Sequence, residues 1–387
     1  MTSTPVRDTA ARDTADHPDA ADHPVTAATP RPPHQARLPL PAARGPVSGA
    51  LVAALTSGPP ADDAGERLAP VRAALAAALA AHAPGSRDIL DDGDVQLALL
   101  VMYELHYRGV EGVDDAWEWE PALLAARRTI EGPFEAAVRE RAGTPTGTET
   151  DAPAVARRLF DLAASDDGPS LSRYVAKRAD AEQVRELLVL KSLYQLKEAD
   201  PHTWAVPRLA GAPKAALVEI QADEYGGGQV GRMHADLFAR TMRGAGLDDT
   251  YGRYVDAVPA VVLVALNTMS LFGLHRRLRG AIVGHLAAFE MTSSIPSRLY
   301  GNGFRRLGHD EGTTEYFDEH VEADAVHEQI AARDLAGRLV EQDPALRDDV
   351  LLGAAACLAV EGDVAAYALG RWQEGGSALR EPLDAHA

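Results

Sequence analysis

Apolar residues recur at intervals of three and four along most of the chain, and that period admits helices and little else. From Val47 to about Gly143 it runs through segments such as RLAPVRAALAAALAAHA and DVQLALLVMYELHYRG. From about Ala154 to Pro382 it returns, punctuated by glycine and proline. No stretch alternates cleanly, as a half-buried strand must. There is no dinucleotide-binding glycine fingerprint, no P-loop and no repeat of fixed period. Alanine and leucine are abundant while aromatics make up only 5%, a mixture that favours helices over strands. The expected class is all-α.

Length and local composition set the expected organisation. A chain of 387 residues has room for two or three domains at roughly 100–200 residues each. Residues 1–46 hold nine prolines and almost no large apolar residue. Such a segment buries too little surface to offset its ordering entropy, so a disordered tail is expected. It carries His17, His23 and His34, a weak candidate for a tail metal site. The run AGTPTGTETDAP over 142–153 reads as a linker. The expected division is a tail at 1–46, an accessory helical region with its linker at 47–152, and a main domain at 153–387.

Charge and cysteine content exclude several roles. The 57 acidic residues outnumber the 38 basic ones and leave a net charge of −19. So acidic a chain repels phosphate backbones and anionic membrane surfaces, and neither nucleic acid nor membrane is an expected partner. No run approaches the ~20 uninterrupted apolar residues of a membrane span, and no basic-then-apolar leader opens the chain. The lone cysteine, Cys357, makes neither an internal disulfide nor a thiolate zinc site, in keeping with a reducing, cytoplasmic setting.

The strongest chemical signal is EYFDEHVEADAVHEQIAARDLAGRLV, in which His320, Asp324 and His327 stand four and three residues apart. On an α-helix these positions lie within about 60° of one another, so two imidazoles and a carboxylate share one stripe. That ligand mixture suits non-haem iron, manganese or zinc. Glu315, Asp318, Glu319, Glu322 and Glu328 crowd the same segment, and the competing reading is a solvated acidic face.

One helix cannot close a metal site, so facing helices must contribute. VEIQADEYGGGQVGRMHADLF offers Glu224 and His234. On an ideal helix they would sit about 80° apart. Gly226, Gly227, Gly228 and Gly231 allow a local break that would bring them to one centre, against a plain loop that leaves Glu224 on the surface. Glu290, after the apolar run AIVGHLAAF, is expected near a buried face, where an unpaired carboxylate needs a cation. Glu198, in LVLKSLYQLKEADPHTW, is on spacing alone no better than a surface acid. Arg298 and Arg305 could pair with a substrate carboxylate, although surface arginines are the more economical reading.

Together these residues resemble the haem-oxygenase-like di-iron oxidases and oxygenases, also called iron-containing redox enzymes. The resemblance spans roughly residues 180–375. It rests on Glu224 and His234, then Glu290, then the H-x3-D-x2-H helix, with EIQADEYGGG and RMHADLF carrying it most closely. It implies a haem-oxygenase-like helical bundle, two non-haem irons, O2 as co-substrate, and Glu224, His234, Glu290, His320, Asp324 and His327 as ligands. Members that oxygenate nitrogen carry one more glutamate upstream, and Glu198 stands at that place. The implied activity is therefore N-oxygenation of an amine or an amino-acid-derived substrate in specialised metabolism. The alternative within the family is oxidative C–C fragmentation of a fatty or amino acid. The resemblance also implies a homodimer and leaves room for an external electron donor.

Readings from other classes fit less well. A ferritin-like carrier would show two Glu-x-x-His pairs, and none is present. A haem enzyme would need an axial histidine such as His275 or His285. Glu104 and His106 stand two apart, point to opposite sides of a helix, and are expected to be structural, as is DDAWEWEP. The non-enzymatic alternative is a helical metal- or partner-binding protein whose acidic stripes are solvated.

Overall fold

The computed structural model describes residues 32–82, 88–143, 145–165 and 168–383, apart from the side chains of Asp324 and Ala325. Among the described residues there is no named strand, only an isolated bridge between Leu38 and Val110. The fold is all-α, as the periodicity requires.

Among the described residues fourteen α-helices of seven or more residues account for most of it, and a π-helical stretch, Ile330–Gly337, continues the thirteenth. The first five are α1 (Pro46–Thr56), α2 (Ala69–Ala81), α3 (Gly93–Glu104), α4 (Pro121–Ala142) and α5 (Ala152–Ala164). There follow α6 (Leu171–Lys177), α7 (Ala181–Gln195), α8 (Gly211–Glu224), α9 (His234–Gly244) and α10 (Ala260–Leu274). The last four are α11 (Arg279–Met291), α12 (Ser294–Arg306), α13 (Glu311–Gln329) and α14 (Arg347–Gln373). Local chemistry sets many of the starts. Asp92, Asp151 and Asp310 accept from backbone amides that open α3, α5 and α13, and Asp180 forms a capping box with Gln183 at α7. Each cap satisfies donors that the helix itself cannot.

The core is built around α10, α11 and α14. α10 is apolar on every side and buried almost throughout. α11 and α14 cross closely because glycine stands at the contact: a Cβ on Gly284 would collide with the Val350 carbonyl, and one on Gly353 with that of Ala281. With its preceding turn, α14 has a mean hydropathy of 1.6 over its most apolar window, enough by length and composition to cross a bilayer. Here its apolar residues Val350, Leu351, Cys357 and Val360 lie in the core, packed toward α10 and α11. That is the ordinary position of a long central helix.

Two expectations about organisation need correction. The tail does not extend to residue 46. His34 is buried and 2.9 Å from Asp236, Leu38 is fully buried, and the Leu38 amide donates to the Gly109 carbonyl at 3.0 Å. His34 is therefore a packed side chain and not part of a tail metal site, while His17 and His23 lie outside the described residues. Nor does the core divide near residue 152. From Pro32 onward the chain is one compact unit, and a single apolar cluster runs from Leu38 to Leu383. The expected linker is a loop, but α3 packs on α10 and α4 on α14 across it.

Candidate metal centre

α7, α8, α9, α11 and α13 surround one buried polar site. Glu224 is the last residue of α8, and His234 is the first of α9. Between them the chain makes two short 3-10 turns, Gly226–Gly228 and Val230–Arg232, so the glycines separate two helices and do not bulge one. Gly226 has φ of +65°, and a Cβ there would come within 2.6 Å of the Arg232 carbonyl carbon and the Met233 nitrogen. Only glycine admits this tight return, which brings His234 Nδ1 to 3.0 Å from Glu224 Oε2.

The remaining groups come from distant parts of the chain. Glu198 follows the end of α7 and is buried, against its ordinary prospects from spacing. Tyr316 on α13 donates to it, with the hydroxyl 3.0 Å from both carboxylate oxygens. Its other neighbour is His320, with Nε2 3.6 Å from Glu198 Oε1. Glu290, at the end of α11, is buried and 3.5 Å from His327 Nδ1. His327 Nδ1 also lies 3.9 Å from Glu224 Oε1.

These contacts form two overlapping groups. Glu198, Glu224, His234 and His320 offer ligand atoms all within 4.8 Å of one another, and so do Glu224, Glu290 and His327. Glu224 belongs to both. The backbone at Asp324 is helical, between His320 and His327, but its side chain lies outside the described residues.

Hydrogen bonds orient the imidazoles. The Tyr316 carbonyl can only accept, so the 2.7 Å contact to His320 Nδ1 places the proton there and leaves Nε2 facing the carboxylates. Asp223, largely exposed, lies 3.0 Å from His327 Nε2 and leaves Nδ1 for the interior. Such outer carboxylate and carbonyl partners fix the ring and tautomer of metal-bound histidines.

The electrostatics call for a cation. Burial opposes charge on Glu224, yet His234, His320 and His327 pull its carboxyl down to about 2. Burial likewise opposes protonation of His327, but Glu290 foremost, then Asp223 and Glu224, raise it to about 9. His234 Nδ1 is buried and, although close to Glu224, makes no well-directed hydrogen bond. Converging carboxylates, inward-facing imidazole nitrogens and an orphaned donor atom fit a metal ion better than a network of internal hydrogen bonds.

A cavity of about 20 Å³ adjoins the groups, walled by Tyr194, Leu286, Phe289, His202, Gln221 and Ser293 among others. That is room for about one water. Behind it His202 Nε2 is 3.2 Å from His285 Nδ1, and burial holds His202 down to about 4 and His285 well below its ordinary range. The pair is therefore neutral near pH 7. Sequence reasoning passed over Tyr316, Asp223 and His202. Tyr316 stands four residues before His320 on the ligand stripe, and Asp223 directly precedes Glu224, which were the available signals.

A larger cleft of about 530 Å³, lined by Arg44, Asp94 and Arg380 among others, shares no residue with the centre. Arg298 and Arg305 are exposed, and Arg305 pairs with Asp318. His275 pairs with Glu131 at 2.9 Å, His285 with His202, Glu104 with Lys197, and His106 with Glu118 at 3.2 Å.

Comparison with known proteins agrees with this geometry. Residues 185–362 match the profile of the iron-containing redox enzymes. That stretch, just under half of the chain, is similar to the iron-containing redox enzyme family. It contains Glu198, Glu224, His234, Glu290, His320, Asp324 and His327. A nitrosourea synthase from Streptomyces achromogenes subsp. streptozoticus is 26% identical over 203 residues, which make up 52% of this chain and 42% of that relative. The chain thus spans less than half the length of the relative it matches. Iron and redox chemistry are what that family's description names.

Proposed function

We propose that this iron-dependent redox enzyme is a di-iron, O2-using N-oxygenase acting on an amine or an amino-acid-derived substrate. The observation that carries the di-iron reading is Glu224, which belongs to both ligand groups and can bridge two ions. The burial of Glu198 at the first group and the likeness to a nitrosourea synthase support nitrogen as the atom oxidised.

In this reading Glu198, His234 and His320 would hold one iron and Glu290 and His327 the other, with Asp324 added from the family resemblance alone, and Glu224 would serve both. Bound ferrous iron would supply the electrons for oxygen chemistry. The protein does the rest. Tyr316 steadies Glu198, and the Tyr316 carbonyl and Asp223 fix the faces of His320 and His327. Tyr194, Leu286 and Phe289 keep water from the centre. A cavity of about 20 Å³ holds no amine substrate, so the wall must move for one to enter. Besides the candidate ligands, neutral His202, the Gln221 amide and the Ser293 hydroxyl are polar groups that an entering nitrogen compound would meet. We further place the protein in the cytoplasm as a homodimer, using an external electron donor and no nucleic-acid or membrane partner.

The test is anaerobic Fe(II) loading, followed by O2 and a panel of amines and amino acid derivatives. About two irons per chain and a product with a new N–O bond are expected. A product of C–C cleavage would replace N-oxygenation by the fragmenting reaction. No iron uptake would return the chain to a partner-binding role.

A further inference from the structure

Lys197 immediately precedes Glu198, and the two side chains serve different surroundings. Lys197 is 1% exposed, which for a lysine demands a dedicated partner. It pairs with Glu104, itself fully buried at the end of α3. Tyr251 donates to the same carboxylate at 2.9 Å. The Lys197 ammonium also sits 4.2 Å from the centre of the Tyr107 ring, a cation–π contact in a dry setting. Glu198 reaches the other way, to Tyr316 and His320.

The backbone immediately after Lys197 and Glu198 is strained. Ala199 has φ of +72°, the left-handed region, and among the described residues it is the non-glycine residue found there. Such a conformation persists only where its neighbours over-determine it. Lys197 anchors one side; on the other, the Thr203 hydroxyl donates to the Ala199 carbonyl at 3.1 Å.

We infer that Lys197 and Glu104 are positioning residues that aim Glu198 into the metal centre. The inference rests on the reading of Glu198 as a ligand. It goes beyond that reading in one respect: Glu104 with the rest of α3, and Tyr107 in the turn after it, lie outside the 185–362 family match. The N-terminal helices are thereby part of the centre's scaffold and not an appended module.

Lys197→Met alone leaves a buried carboxylate without its counter-charge and is at risk of not folding. The paired variant Glu104→Gln/Lys197→Met removes both charges and keeps the shape. Its metal-free crystal structure is the first readout. The expected result is a Glu198 carboxylate withdrawn from Tyr316; retention of the 3.0 Å contact overturns the inference. The second readout is Co(II) titration followed by absorption. The paired variant should lose about 10–100-fold in affinity, show the altered spectrum of Glu198→Gln, and change no further when Glu198→Gln is added. A wild-type spectrum, or effects that simply add, overturns it. Wild-type protein that takes up no metal would overturn the reading of the centre instead, and the metal-free structure would still decide this one.

Discussion

Glu224 and His234 stand ten residues apart in sequence and 3.0 Å apart in space, because one helix ends at the first and the next begins at the second. The same carboxylate turns its other oxygen toward His327, 3.9 Å away. This geometry makes the three residues unequal. Glu224→Ala should abolish tight binding of both irons. His327→Ala or Glu290→Gln should leave about one iron per chain, held by the first group. Iron analysis after anaerobic loading and desalting reads this directly. Equal loss in all three variants would argue against two distinguishable ions.

Metal uptake must displace protons. His327 is raised to about 9 in the metal-free protein, and His234 is raised as well: burial opposes its charge, but Glu224 and Glu198 together outweigh burial and His320. His327 therefore carries a proton near neutrality. For a histidine raised in the folded state, the stabilisation of metal-free protein is complete below about 6.5 and fades as pH rises through about 9. Metal affinity runs the opposite way, gaining about tenfold per pH unit for each proton displaced. Anaerobic Co(II) titrations below pH 9 should show this slope, with proton release visible in weakly buffered solution. Affinity independent of pH would mean that the imidazoles enter neutral.

Much of the centre was legible in the sequence, for a simple reason. His320 and His327 fall on one helical stripe, and a helix keeps that relation wherever it packs. The sequence offers Glu224 and His234 together, with a local break in the helix and a plain loop between two helices as the alternatives. Local spacing does not say whether glycines interrupt a helix or end it. Glu198 carried no signal of its own, because its burial depends on Tyr316, 118 residues later in the chain. The same distance problem hid Lys197–Glu104 and His202–His285, whose partners come from other helices. Residues 32–46 looked like tail because proline dominates them, yet a few contacts, His34 to Asp236 and Leu38 to Gly109, suffice to seat them.

Tyr316 shares its single hydroxyl proton between both oxygens of Glu198, and burial with that carboxylate nearby holds its phenol well above the ordinary range. It is therefore a permanent donor. Tyr316→Phe keeps the ring in the core and deletes only the bond. The expected cost at the first group is about 10–100-fold in metal affinity, as for other outer partners of ligands, with the second group unchanged. Paired titrations of this variant and wild type, followed at an absorption band assigned with His327→Ala, would separate the two groups. A uniform loss at both would point to general loosening of α13.

The return between α8 and α9 supplies the last contrast. Gly226 and Gly227 both have positive φ, +65° and +60°, so a side chain at either strains the backbone. They differ in space. A Cβ at Gly227 meets nothing within 4 Å, whereas one at Gly226 comes within 2.6 Å of backbone atoms of Arg232 and Met233. Gly227→Ala should cost about 1–2 kcal/mol from conformation alone and leave metal binding as it was. Gly226→Ala adds a collision that flexible side chains cannot relieve, so the turn must open and carry His234 away from Glu224. Its stability loss should exceed that of Gly227→Ala, and iron affinity should fall with it. Denaturant melts and iron titrations of the two variants give the comparison. Equal behaviour in both would show that the turn yields without moving His234.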